Sequence, residues 1–230
     1  GAYAASLYGI YFSPFAPAAA VALAGLSGLA FAGTETGQRK KRLRDLFGDR
    51  LSREGFARLL NSDAPADFGG REQTASLIWC EIGNRESLME NLSPADYVTA
   101  VNRLLHEAAE FLVARGAYLE SCEGEELRAF FGLPLPSEQH AAEACRAALA
   151  LAARLRNLNL EFDQRFHQKL EFRLAVNSGE VVAAAYGSGR SGVYGASGPA
   201  VDLARALCAA NATYGTALLL GPETLLQARE

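Results

Sequence analysis

From Ala2 to Gly33 no residue carries a charge, and Gln38-Arg39-Lys40-Lys41-Arg42-Leu43-Arg44 follows almost at once. The run from Pro14 to Gly33, about 20 residues at roughly 1.5 Å rise, makes a helix of about 30 Å, enough to cross a hydrocarbon core. Pro14 and Pro17 suit its first turn, where missing amide donors cost little. Gly25, Ser27 and Gly28 are the small residues that membrane helices use for close contact. A secretory signal has its positive charge ahead of the apolar run, and here the charge comes after it. The basic cluster therefore puts the C-terminal side in the cytoplasm at an inner (plasma) membrane. A buried helix of a soluble protein is the alternative. Residues 1–34 are read as transmembrane, with Tyr3, Tyr8 and Tyr11 closing a preceding span.

Residues 35–70 read as a helical connector. Leu43, Leu46, Phe47 and Leu51 recur at helical spacing among charges, and Ser52 is placed to cap a short helix with Phe56, Leu59 and Leu60. This apolar stripe suits either a dimer seam or a helix lying on its own domain or on a membrane surface. Asn61 to Gly70, rich in Asp, Ala, Pro and Gly, reads as a loop.

From residue 71 the pattern alternates between strand and helix. Ala75–Ile82 reads as a buried strand, and Pro94–Arg115 as a long helix with Tyr97, Val101, Leu104, Leu105, Ala108, Phe111 and Leu112 on one face. Gly116 ends the helix, Ala117–Cys122 is a strand, and Glu123-Gly124-Glu125 turns into Glu126–Phe131. An alanine-rich helix covers Glu138–Leu158. A hairpin bending at Gly179 is expected over Leu170–Tyr186, then a helix over Pro199–Ala210 and a strand over Ala217–Leu220. This order predicts an α+β sandwich with helices packed on one sheet.

Composition narrows the function. With 50% hydrophobic and 21% charged residues among 230, the chain can bury a substantial core. A net charge of −4, with one short basic stretch, argues against nucleic acid as a partner. Cys80, Cys122, Cys145 and Cys208 are isolated, which favours reduced thiols over a zinc site or a disulfide framework. His106, His140 and His167 have no partner at ligand spacing. Gly187-Ser188-Gly189-Arg190-Ser191-Gly192 matches GxGxxG, but Val193-Tyr194-Gly195 after it is not a helix start, so a dinucleotide site is set aside.

Ala75–Ile82, the Leu92-Ser93-Pro94 helix opening, Gly179-Glu180-Val181-Val182 and Gly198–Arg205 together resemble the catalytic domain of class III nucleotide cyclases across residues 71–230. Glu123-Gly124-Glu125-Glu126-Leu127 echoes the GGEEF turn of diguanylate cyclases, a related fold and the runner-up. Leu46–Ser52 is similar to the connector of bacterial cyclase receptors with a CHASE-type sensor. The resemblance implies a ferredoxin-like sandwich that dimerises with itself or with another cyclase domain, binds ATP or GTP, and uses two Mg or Mn ions to activate a ribose hydroxyl. It places the metal carboxylates at Glu81 and Glu125, where the family has Asp, and the base-selecting pair at Ser121 and Gly195. In the segment that reaches the partner subunit it places the glycine-rich run after Tyr186. On the Pro199 helix the family carries Asn and, four residues on, Arg. Here Asp202 and Ala206 stand there, with Arg205 one step before. Most chemical positions are substituted, so the resemblance implies a signalling domain with weak or absent cyclase activity.

Overall fold

The computed structural model describes residues 15–62, 68–187 and 192–229. It divides into two units, one through Arg44 and one from Asp45 onward. In the first, helix α1 (Phe15–Gly33) is followed by α2 (Glu35–Phe47), which continues into the second unit. Thr34 Oγ1 accepts from Gly37 N at 3.3 Å at the start of α2. The expected apolar helix forms, and Val21, Leu23, Leu26 and Leu29 are exposed on it. Yet among the described residues no helix is long and apolar enough to cross a membrane. The expected span over residues 14–33 is thus not carried by the described helix. Tyr3, Tyr8, Tyr11 and Pro14 lie outside the described residues.

The second unit runs α3 (Arg53–Asn61), β1 (Arg71–Ile82), α4 (Arg85–Asn91), α5 (Pro94–Ala114), β2 (Tyr118–Glu123), β3 (Glu126–Phe131), α6 (His140–Phe166), β4 (Phe172–Tyr186), β5 (Val193–Ser197), α7 (Pro199–Tyr214), β6 (Leu218–Leu220) and α8 (Pro222–Gln227). The sheet order is β2-β3-β1-β4-β5, with β6 added in parallel beside β4. Side chains alternate across a strand, so each face has its own partners. Ile78, Cys80 and Ile82 of β1 and Phe172, Leu174 and Val176 of β4 pack in one core with α5 and α6. The other face meets α7: Asn177 Nδ2 donates to Ala200 O at 2.8 Å, and Cys208 Sγ lies 3.3 Å from Arg173 O.

Local signals set several boundaries. Ser93 Oγ accepts from Asp96 N at 3.2 Å and Pro94 follows, so α5 starts where its cap dictates. Ser52 Oγ accepts from Gly55 N at 3.0 Å and opens α3 as expected. The hairpin expected at Gly179 is a correction. Strand β4 runs straight through it, and Gly179 pairs with Ala75. A Cβ at 179 would stand 3.0 Å from the Ala200 Cβ, so the glycine serves the close approach of α7 and not a turn.

Within the second unit, the connector from Asp45 onward packs on the domain. Phe47 is fully buried, with ring centroids 5.2 Å from Phe68, 5.5 Å from Tyr118 and 5.2 Å from Tyr194. Tyr118 Oη donates to the Tyr194 carbonyl, and Arg50 Nη1 donates to Glu120 O at 3.1 Å. These bonds tie the end of the connector to β2, and β2 to β5. Phe47→Ala is expected to cost about 3–5 kcal/mol in urea unfolding. A loss below about 1 kcal/mol would contradict the docking.

A buried polar chain crosses the sheet. Ser76 Oγ lies 2.8 Å from His140 Nδ1 and 2.5 Å from Ser178 Oγ, which donates to Thr224 Oγ1 at 3.0 Å. Burial holds the His140 imidazole below its ordinary 6.5, against the opposing pull of Glu143. The unfolded chain therefore takes a proton that the folded one refuses, and stability drops as pH falls from 6.5 toward the depressed value. Between about pH 7.5 and about pH 5.5, His140→Gln is expected to lose less of its urea midpoint than the parent. An equal loss in both would show that this imidazole is not the group involved.

Candidate active site

Strand β1 delivers Glu81 to its last turn of alternation. The residue faces α7, directly opposite Glu126 on β3 and Arg173 on β4. Arg173 Nη1 lies 3.5 Å from Glu81 Oε1, and Nη2 donates to Gly83 O at 2.9 Å. Gly83 makes room for this guanidinium, since a Cβ there would stand 2.8 Å from Arg173 Nε. Asn84 fixes the loop beyond, donating to Lys169 O at 2.8 Å and accepting from Glu171 N at 2.9 Å.

Glu125 sits in the β2–β3 turn beside Gly124, whose φ of 63° suits glycine. Its backbone is next to the end of β1, with Ile82 N donating to Glu125 O at 3.1 Å. The two acids thus occupy neighbouring strand ends, as expected. Their carboxylates have separate surroundings. Tyr97 Oη of α5 donates to Glu125 Oε1 at 2.7 Å, and Arg85 Nε of α4 lies 3.5 Å away. Burial, then the bond to Glu125, push the Tyr97 hydroxyl above its ordinary value. Glu81 is engaged on the α7 face and Glu125 by the helices of the opposite layer.

Of the base-selecting positions, Gly195 of β5 pairs with Ala184, and a Cβ on it would stand 2.7 Å from Glu120 Oε1. Glu120 precedes Ser121 on β2, at a bulge between Leu119 and Ser121. Glu120 Oε1 accepts from Ala196 N at 2.8 Å. Arg128 Nη1 comes within 3.2 Å of Oε2 at an angle that gives an ion pair without a directed hydrogen bond. Burial raises this carboxyl above its usual range, against the Ala196 bond and the Arg128 and Arg50 charges. Ser121 Oγ accepts from Arg128 Nε at 2.9 Å. Sequence spacing could not find Glu120, because it meets its partners only through tertiary structure.

Helix α7 turns Val201, Ala204, Cys208 and Asn211 inward and leaves Asp202, Arg205 and Ala206 exposed. Asp202 and Ala206, four apart, share a face, and Arg205 is about 100° round the helix. No ion pair joins Arg205 to Asp202 among the described residues. Gly187 and Gly192 of the glycine-rich run are described, whereas residues 188–191 lie outside the described residues.

A two-metal site needs both strand-end carboxylates turned to a common ion. Among the described residues no group of three His, Cys, Asp or Glu side chains could hold a metal. With Glu81 on Arg173 and Glu125 on Tyr97 and Arg85, the present arrangement does not fit a shared divalent site. All four cysteines are free, Cys80 and Cys208 buried and Cys122 exposed.

The architecture has known counterparts. The adenylate and guanylate cyclase catalytic-domain model matches residues 70–212. Adenylate cyclase 1 of Rhizobium meliloti (strain 1021) is 27% identical over 168 residues, 71% of this chain and 25% of that protein. An uncharacterized protein of Mycobacterium tuberculosis is 26% identical over 215 residues, 88% of this chain and 36% of that one. The chain therefore spans only about a quarter to a third of the length of these relatives. Among solved structures, the guanylyl cyclase Cya2 superposes with a TM-score of 0.64 at 24% identity, covering 70% of this chain and 80% of that one. The adenylyl cyclase CyaB from P. aeruginosa gives 0.62 at 19% identity, covering 70% and 82%. With the family match covering more than half of the chain, the protein belongs to the adenylate and guanylate cyclase catalytic-domain family, class III.

Proposed function

We propose that this domain serves a signalling protein as a cyclase homologue of low or absent turnover, acting through dimerisation and through binding of ATP or GTP. The observation that carries the reading is the exposed face of α7. Where the family resemblance expects Asn and Arg, it offers Asp202 and Ala206. In the family these groups reach into the active site of the partner subunit. An Asp there sets a negative charge beside a polyphosphate. An Ala removes a cation from the developing charge of the transition state, a role worth about 2.7–4 kcal/mol for each donor lost. Arg205 lies a third of a turn away and does not stand in for it.

A second reading, a weak cyclase making cyclic AMP or cyclic GMP, is favoured by one observation: Glu81 and Glu125 keep acidic charge at adjacent strand ends. A third, a purely structural dimerisation module, predicts no nucleotide binding at all. We also propose that the N-terminal unit holds the domain at the inner membrane. Its exposed Val21, Leu23, Leu26 and Leu29 and the basic run through Arg44 support this.

Two experiments follow. The combined changes Glu81→Asp, Glu125→Asp, Asp202→Asn and Ala206→Arg, with Arg85→Met and Arg173→Met to free both carboxylates, are expected to raise ATP or GTP cyclisation by about two decades or more. If that variant binds nucleotide and gains no turnover, the α7 substitutions are not the limiting defect. Deleting residues 1–38 is expected to move the protein from the membrane fraction to the soluble fraction. A full-length chain already soluble without detergent would count against the attachment.

A further inference from the structure

The geometry points to two built-in cations at the strand edge: Arg173 and Arg85 each serve as the permanent counter-ion of one carboxylate, Glu81 and Glu125, so that these acids share no divalent ion. The inference rests on the reading above only for which two acids matter, and it concerns ion binding, not turnover.

Three observations carry it. First, the Arg173 guanidinium bridges a carboxylate oxygen and a backbone carbonyl, Glu81 Oε1 at 3.5 Å and Gly83 O at 2.9 Å. Those are the two kinds of oxygen that a magnesium or manganese ion would draw on at a strand end. The guanidinium packs close over Gly83, where a Cβ would stand 2.8 Å from Arg173 Nε and oblige the arginine side chain to shift. Glu126 stands directly opposite Glu81 in the β1–β3 register, and Arg173, opposite on β4, is the cation at ion-pair distance from Glu81. Both Arg173 and Glu81 side chains are only 25% exposed, which limits screening by solvent.

Second, Glu125 has its own pair of donors. Tyr97 Oη and Arg85 Nε both address Oε1, from α5 and α4. A bridging ion would meet the Arg85 charge beside this carboxylate and compete with the phenol for Oε1. Third, the partners come from different elements, β4 for one acid and α4 and α5 for the other. An arginine side chain stays charged at any working pH, so neither clamp opens by titration of the cation. A divalent ion shared by the two carboxylates would have to bind against both guanidinium charges at once.

The test uses the full chain and manganese alone, without nucleotide, read by electron paramagnetic resonance of free Mn2+. The unmodified chain is expected to show no saturable uptake below about 1 mM. The Arg85→Met, Arg173→Met double variant, checked for its fold by circular dichroism, is expected to take up Mn2+ at least about tenfold more tightly, and adding Glu81→Gln or Glu125→Gln should abolish the gain. Saturable uptake by the unmodified chain that Glu81→Gln removes would overturn the proposal. So would a folded double variant that gains nothing. Should Arg173→Met impair folding, Arg85→Met alone, at a largely exposed position, reads the Glu125 half in the same way. None of these outcomes depends on cyclase turnover, so the inference and the proposed function can fail separately.

Discussion

The long antiparallel ladder between β1 and β4, in register from Arg71–Ala183 to Ile82–Phe172, is the constraint on which the rest of the domain hangs. It fixes which side chains face α5 and α6 and which face α7. One slip in this register would exchange every inner residue for an outer one. Because Glu81 falls opposite Arg173 in that register, the electrostatics of the strand end are decided by backbone pairing before any side chain chooses a rotamer. Ser76 and Ser178 meet across the same ladder and anchor His140 and Thr224 to it.

A pattern of charge recurs around the sheet. Glu81, Glu125 and Glu120 are met by Arg173, Arg85 and Arg128 respectively. The first and third pairs are mostly shielded from water and the second is largely exposed, so their strengths differ. The chain brings its own cations to the acids at its strand ends. That distribution separates fold from chemistry: the scaffold keeps the family's topology while its acids look inward to the same chain.

Much of the fold was legible in the sequence. The helix over Pro94–Ala114 announced itself by Ser93, Pro94 and a clean apolar stripe, and the strand ending at Ile82 by its continuous apolar run. Gly179 misled, because a glycine needed for close helix approach looks the same in sequence as one needed for a turn. The short β5 and α4 had too little period to be read, and α6 continues to Phe166 through a polar stretch whose Leu158 and Phe162 still reach the core. At the site, Glu81, Glu125, Asp202 and Ala206 could be named only through the family resemblance. Glu120, Arg85 and Arg173 could not be named, since they meet their partners only through tertiary structure. His140 had no local partner in sequence and found Ser76 from 64 positions away.

The account turns on whether α7 lacks what phosphoryl chemistry needs. The most direct measurement is cyclic-nucleotide formation by the unmodified chain, supplied with ATP or GTP and with Mg or Mn. The account predicts product at or near background with every combination. Sustained turnover at about 1 per second, within the ordinary range of enzymes, would contradict it and would require Arg205 or another cation to act in place of the missing arginine.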